Sequence, residues 1–240
     1  NAPPWENLKF DLDGVDEVRR KFFGTLYNTY SFFALYANID GFTHSEAYVP
    51  MEQRQEIDRW IISLLNSLKK EVDQHYDDYD PTPATRKIYD FLDSHLSNWY
   101  VRLCRRRFWK GEYTDDKVAA YQTLNECLVT IAKLMSPVSP FFAEWLYGNL
   151  NSITDLDSFE SVHLADFPEA DDQVIDSVLE QRMDYAQRIS SLVLSLRKKE
   201  RLRVRQPLQR ILLPILDNRF KQKVEIVKDL SLAEVNVKEI

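Results

Sequence analysis

The sequence predicts a mainly α protein: a helical bundle followed by a small α/β unit. Three observations carry this. Only five of the 240 residues are glycine, the residue that loses most backbone freedom in a helix interior. From about residue 13 to 200, apolar side chains recur every three or four positions, the spacing of one helix face. After residue 207 that period gives way to short apolar runs of strand length. The length suits a medium domain joined to a small one, and the division is expected at 168/169, with the bundle in 1–168 and a long helix plus a small junction unit in 169–240.

The elements follow in order. Residues 1–13, with Pro3 and Pro4, read as a linker. A helix then begins near Asp13, carries Val18, Phe22, Leu26, Tyr30 and Phe33 on one face, and stops at Gly41. Pro50 suits the first turn of a second helix, striped by Ile57, Trp60, Ile61, Leu64, Leu68 and Val72 and broken at Asp77–Pro81. A third covers about 83–109. Asp115 and Asp116 can cap a fourth, whose buried face is Val118, Tyr121, Leu124, Leu128 and Ile131. Ser136-Pro137 ends it, and Ser139-Pro140 opens a fifth, so Pro137 and Pro140 stiffen the corner between them. A long helix is expected from about Asp171 to Arg201. Strands are expected at 208–216 and 232–237, with a helix over 218–230 between them.

The formal charge is −7, but its distribution matters more than its sum. Residues 98–110 hold Arg102, Arg105, Arg106, Arg107 and Lys110 and no acid, for +5. Residues 197–210 hold seven basic residues against Glu200, for +6. The other 213 residues therefore carry −18, and a polyanion is repelled everywhere except at two places. At about 100° per residue, Trp99, Arg102, Arg106 and Lys110 share a helix face, with Tyr100, Val101, Cys104 and Phe108 on the other side. Arginine forks match phosphate and stack on unpaired bases, and aromatic rings beside them stack on splayed loop bases. The alternative is that the arginines pair with acids elsewhere and the tryptophans Trp99 and Trp109 are core. The cluster at 197–210 lies where the long helix ends, so it either contacts phosphate or complements the helix dipole.

Other chemistry finds no support. Cys104 and Cys127 make no C-x-x-C pair, and the four histidines are scattered, so neither a zinc site nor a disulfide framework is signalled. There is no Gly-rich phosphate loop, H-E-x-x-H or nucleophile elbow. No apolar run reaches membrane-spanning length and no secretory signal is visible, so no membrane is expected as a partner and the cytoplasm is the expected location. The start Asn1-Ala-Pro-Pro-Trp lacks an initiator Met, and the chain is expected to begin inside a longer polypeptide.

Taken together, Phe22–Phe42, Ile57-Asp-Arg-Trp-Ile61, Asn98-Trp-Tyr with Arg105-Arg-Arg-Phe-Trp109, Met135-Ser-Pro-Val-Ser-Pro-Phe141, Ser161–Pro168 and Val204-Arg-Gln-Pro-Leu208 resemble, in this order, the isoleucyl-tRNA synthetases from just after the catalytic core onward. The corner at 135–141 and the segment 161–168 are shared with the valine, leucine and methionine enzymes. The runs at 98–109 and 204–208 resemble the isoleucine enzymes in particular. The resemblance implies a helical anticodon-binding bundle that docks on the anticodon stem and loop of isoleucine tRNA, with a small C-terminal unit gripping the same arm. It implies a parent enzyme that uses ATP and magnesium, charges isoleucine, and removes mischarged valine in an inserted domain. The HIGH and KMSKS signatures are absent here, so this part is expected to be inactive alone, to hold no cofactor, and to work beside the parent's catalytic domain in cis. A cysteine-ligated zinc module found at the end of some bacterial relatives is also absent, and the tail resembles the branch shared with eukaryotes.

The expected contacts to tRNA are Asn98, Trp99, Arg102, Arg105, Arg106, Trp109 and Lys110 on the bundle, with Arg201, Arg203 and Arg205 as a second grip. RNA, and not DNA, is the expected polyanion. A helical protein-interaction scaffold explains the apolar stripes equally well but gives no reason for the two acid-free clusters. A stand-alone enzyme has no supporting motif.

Overall fold

The computed structural model describes residues 7, 10–154, 158–214, 218, 224–225, 227–228, 232 and 234–239. The chain divides into two compact units, Asn1–Ile175 and Asp176–Ile240. Residues 169–175 thus belong with the bundle: the Asn66 carboxamide oxygen accepts from the Asp171 backbone N–H at 3.0 Å, and Lys70 pairs with Asp172.

The first unit is helical. α1 (Leu12–Val18), a π-helical stretch (Arg19–Phe23) and α2 (Gly24–Asp40) form one rod, because the residues at both junctions keep helical backbone angles. Asp11 caps it by accepting from the N–H groups of Asp13 and Gly14. Gly41 ends it at φ 71, a left-handed conformation that costs a residue with a Cβ more than it costs glycine. The π-helical stretch explains one departure from the expected stripe. A π-turn closes i→i+5, so side chains advance by less than in an α-helix and the face before it falls out of phase with the face after it. Leu26 and Phe33 are buried, whereas Val18 is exposed.

α3 (Glu56–Asp77) and α6 (Asp115–Met135) lie at the centre and are buried on more than one side. α4 (Pro81–Asp90), a second π-helical stretch (Phe91–Val101) and α5 (Arg102–Trp109) make another continuous rod, packed on both. α6 stops at Met135, and α7 (Pro140–Thr154) begins at the second proline of the corner and packs back along α6. Buried Arg54 fastens the loop before α3 to α6, donating to the Val49 carbonyl at 3.0 Å and to Thr123 Oγ1 at 2.8 Å. No helix among the described residues is long and apolar enough to cross a membrane.

In the second unit α8 runs Ser177–Lys199, shorter than expected at its start because the Asp176 carboxylate caps it, accepting from Leu179 N–H at 2.9 Å. Leu208–Arg210 (β1) pairs in parallel with Val237–Glu239 (β2). Both expected strands need correction. Residues 211–214 are irregular, with Pro214 unable to donate to a ladder. Leu232, Glu234 and Val235 are helical, so the second strand starts only at Val237. Residues 218, 224, 225, 227 and 228 are helical, and the remainder of the helix expected over 218–230 lies outside the described residues, as do 215 and 216.

One acid on α6 sets a pH dependence. Glu126 faces a cavity of about 280 Å³ that also takes in His44, Arg54, Asn125 and Lys133. Burial raises its carboxyl above the ordinary 4.5, partly opposed by Lys69 and Arg54. Such a group binds protons more readily folded than unfolded, so it subtracts stability as pH rises above that value. Glu126→Gln is therefore expected to raise the urea midpoint at neutral pH, with the gain shrinking toward zero as pH falls to 4.5 and below. An unchanged midpoint at neutral pH would contradict this.

Candidate nucleic-acid interface

The basic run of the first unit lies at the end of the α4–α5 rod. Its apolar members anchor it: Tyr100, Val101, Cys104 and Phe108 are buried, with Phe108 packed edge-on against Phe32 and Tyr121. Burial pushes the Cys104 thiol up to about 12, so it is an inert core residue. The cations between these anchors fall outward. Asn98, Arg102, Arg105, Arg106, Trp109 and Lys110 are exposed. Lys110 has left the helix, with extended backbone angles.

Trp99 does not join that surface. It is 4% exposed, and its indole N–H is buried without an acceptor among the described residues. The uniform 100° step fails here because residues 91–101 are π-helical, which turns Trp99 inward together with Tyr100. Its ring still serves the surface from beneath: the Arg102 guanidinium lies over it at 5.8 Å. Arg105 similarly lies over Phe32 at 5.8 Å. Each cation is thus supported by an aromatic face. Trp109 is 50% exposed and stands beside them.

Arg107 is the exception among the cations. Its guanidinium faces Asp58, which is 0% exposed, with Nη1 donating to Oδ1 and Nη2 to Oδ2, both at 2.8 Å. Nε and Nη2 also donate to the Asp116 carboxylate, at 3.1 and 2.9 Å. Tyr100 donates its hydroxyl to the same Asp58 at 2.6 Å. Burial opposes the Arg107 charge, but the hydrogen bonds to Asp58 together with the electrostatic pull of Tyr100, Asp58 and Cys104 outweigh it and hold the guanidinium protonated more firmly than usual. Burial and the neighbouring Asp58 charge push Tyr100 well above its ordinary value, so it stays a donor. Sequence reasoning did not assign this role. The available signal was Asp58 itself, an acid spaced three, four and seven residues before Ile61, Ile62 and Leu65 on a buried face.

The second cluster splits the same way. Arg201, Arg203 and Arg205 are exposed around the end of α8, where Arg201 takes φ 54. Arg197 is buried and donates to the carbonyls of Arg203, Gln206 and Asn236, each at 3.0 Å. It staples the loop that carries the other three.

Residues 58–212 match the sequence profile of the anticodon-binding domain of tRNA ligase. The chain belongs to this family. The matched part of the anticodon-binding domain includes both basic clusters, α3 from Asp58 onward, all of α4 to α8, and β1. The chain is 60% identical over its whole length to the isoleucine--tRNA ligase of Bacteroides thetaiotaomicron, covering 21% of that protein. It is 58% identical, again over its whole length, to the isoleucine--tRNA ligase of Cytophaga hutchinsonii, covering 22% of it. It is 47% identical over 237 residues, 99% of its length, to that of Dehalococcoides mccartyi, covering 23% of that protein. The chain therefore spans about a fifth of the length of the curated relatives it matches.

The split between inward and outward arginines has a measurable signature in the anticodon-binding domain. Arg107→Ala leaves a buried carboxylate without its cation and is expected to cost about 3–5 kcal/mol. Exposed Arg106→Ala is expected to stay within about 0.5 kcal/mol. Denaturant midpoints of the two variants, compared with the unmodified chain, check both.

Proposed function

We propose that this chain recognises the anticodon arm of isoleucine tRNA for an isoleucine--tRNA ligase. The observation that carries the reading is the outward group of Arg102, Arg105, Arg106 and Lys110 on an otherwise acidic protein, built on a family whose name is anticodon binding. The amino-acid identity rests on relatives that bear the isoleucine name at 43–60% identity over 99–100% of the chain.

In this reading the arginines and Lys110 position the RNA through its phosphates, while Asn98 and Trp109 meet unpaired loop bases by hydrogen bonding and stacking. Trp99 contributes only by supporting Arg102. Arg201, Arg203 and Arg205 grip the same arm from the second unit. Phosphate contacts alone carry no sequence information, so discrimination among tRNAs falls to the base-facing groups. ATP, magnesium, isoleucine and the chemistry of charging belong to the catalytic part of the parent enzyme, which acts in cis in the cytoplasm.

A pull-down from total tRNA followed by sequencing tests the reading, with isoleucine tRNA as the expected enriched species. Retention of no RNA, or of all tRNAs equally, would refute it. Replacing Arg102 and Arg106 together with Ala is expected to weaken tRNA binding by more than about tenfold at moderate salt and to flatten the slope of log K against log salt by about 1–2. The melting temperature should move by less than about 4 °C, since both side chains are exposed and one cation–π contact, Arg102 over Trp99, is disturbed.

A further inference from the structure

The run Arg105-Arg106-Arg107 poses a problem of register that three adjacent identical side chains cannot solve. Each is long enough to reach a buried carboxylate, and a rotation of the helix by one residue, about 100°, exchanges which arginine faces in. The structure breaks this degeneracy from outside the helix. Asp58 on α3 and Asp116 in the first turn of α6 present carboxylates to one guanidinium, that of Arg107. Its Nη2 also donates to the Asp116 backbone carbonyl at 2.9 Å, and Nη1 to the Cys104 sulfur at 3.6 Å. Every N–H of Arg107 therefore has an acceptor inside the protein, and none is left for a phosphate. Tyr100, earlier on the same rod, holds the same Asp58 and fixes the rod at a second point.

We infer that Arg107 is a positioning residue for RNA recognition: clamped by Asp58 and Asp116, it sets the rotation of α5 so that Arg102, Arg105 and Arg106 face the RNA together. The inference rests on the recognition reading above and deepens it. With Arg107 inward, Arg106 stands about 100° away on the helix, Arg105 about 160° and Arg102 about 140°, so all three leave the clamp side. Lysine cannot replace it. An ammonium keeps the charge but lacks the planar fork that joins two carboxylates at once.

The test is a double-mutant cycle on the full chain, with an isoleucine tRNA transcript as the probe and titrations at several salt concentrations. Arg107→Lys is expected to weaken binding by about tenfold in the unmodified chain, but by less than about twofold when Arg102, Arg105 and Arg106 are already Ala, since a residue that acts through them has nothing left to position. The salt slope should fall with Arg107→Lys as well, a change that loss of folded protein alone does not produce. Asp116→Ala, at a half-exposed carboxylate, carries the same cycle if Arg107→Lys does not fold, with a loss of a few fold that again vanishes in the triple-alanine background. Equal losses in both backgrounds, or a folded Arg107→Lys chain that binds as tightly as the original, overturn the positioning role while leaving the recognition reading intact. Failure of the unmodified chain to bind the transcript overturns both.

Discussion

The forked ion pair between Arg107 and Asp58 is the constraint on which the candidate surface depends. Two charges with little solvent around them are costly to bury, and such a pair seldom adds net stability over an apolar replacement. What it supplies is geometry: two parallel N–H···O bonds at 2.8 Å admit few orientations of the helix that carries them. Asp116 and the Tyr100 hydroxyl reduce those orientations further. Three helices from separate parts of the sequence, α3, α5 and α6, meet at this point, so the outward arrangement of arginines is a property of the bundle and not of α5 alone.

The same division of labour recurs at the other cluster. Arg197 is buried among backbone carbonyls while Arg201, Arg203 and Arg205 stay outside. In both places one arginine is used as a multidentate fastener, which suits its five fixed donors, and its neighbours keep their charge for solvent. On a body that otherwise carries −18, such local concentration matters because screening limits each charge to about 10 Å at ordinary salt. A polyanion close to either cluster feels the cluster more strongly than the net charge.

The helices of the bundle were legible because their evidence is local. Apolar spacing marked α3 and α6, and Pro137 and Pro140 fixed the α6–α7 corner where the structure has it. Phase was not legible. Nothing in Arg19–Phe23 or Phe91–Val101 announces a π-helical stretch, and each shifts the faces around it, exposing Val18 and burying Trp99. Which arginine turns inward was not legible either, since the choice lies with Asp58, 49 residues earlier in the chain. The small α/β unit was anticipated in kind but not in extent, because a strand of three residues depends on its partner more than on its own sequence.

The most direct test of the account is a side-chain ¹H–¹⁵N spectrum of the arginine Nε–H groups, recorded with and without isoleucine tRNA. The account predicts that the Arg102, Arg105 and Arg106 signals shift on adding RNA, while the Arg107 signal is slow to exchange with solvent and stays in place. An Arg107 signal that exchanges freely or moves with RNA, beside unmoved signals from its three neighbours, would contradict it.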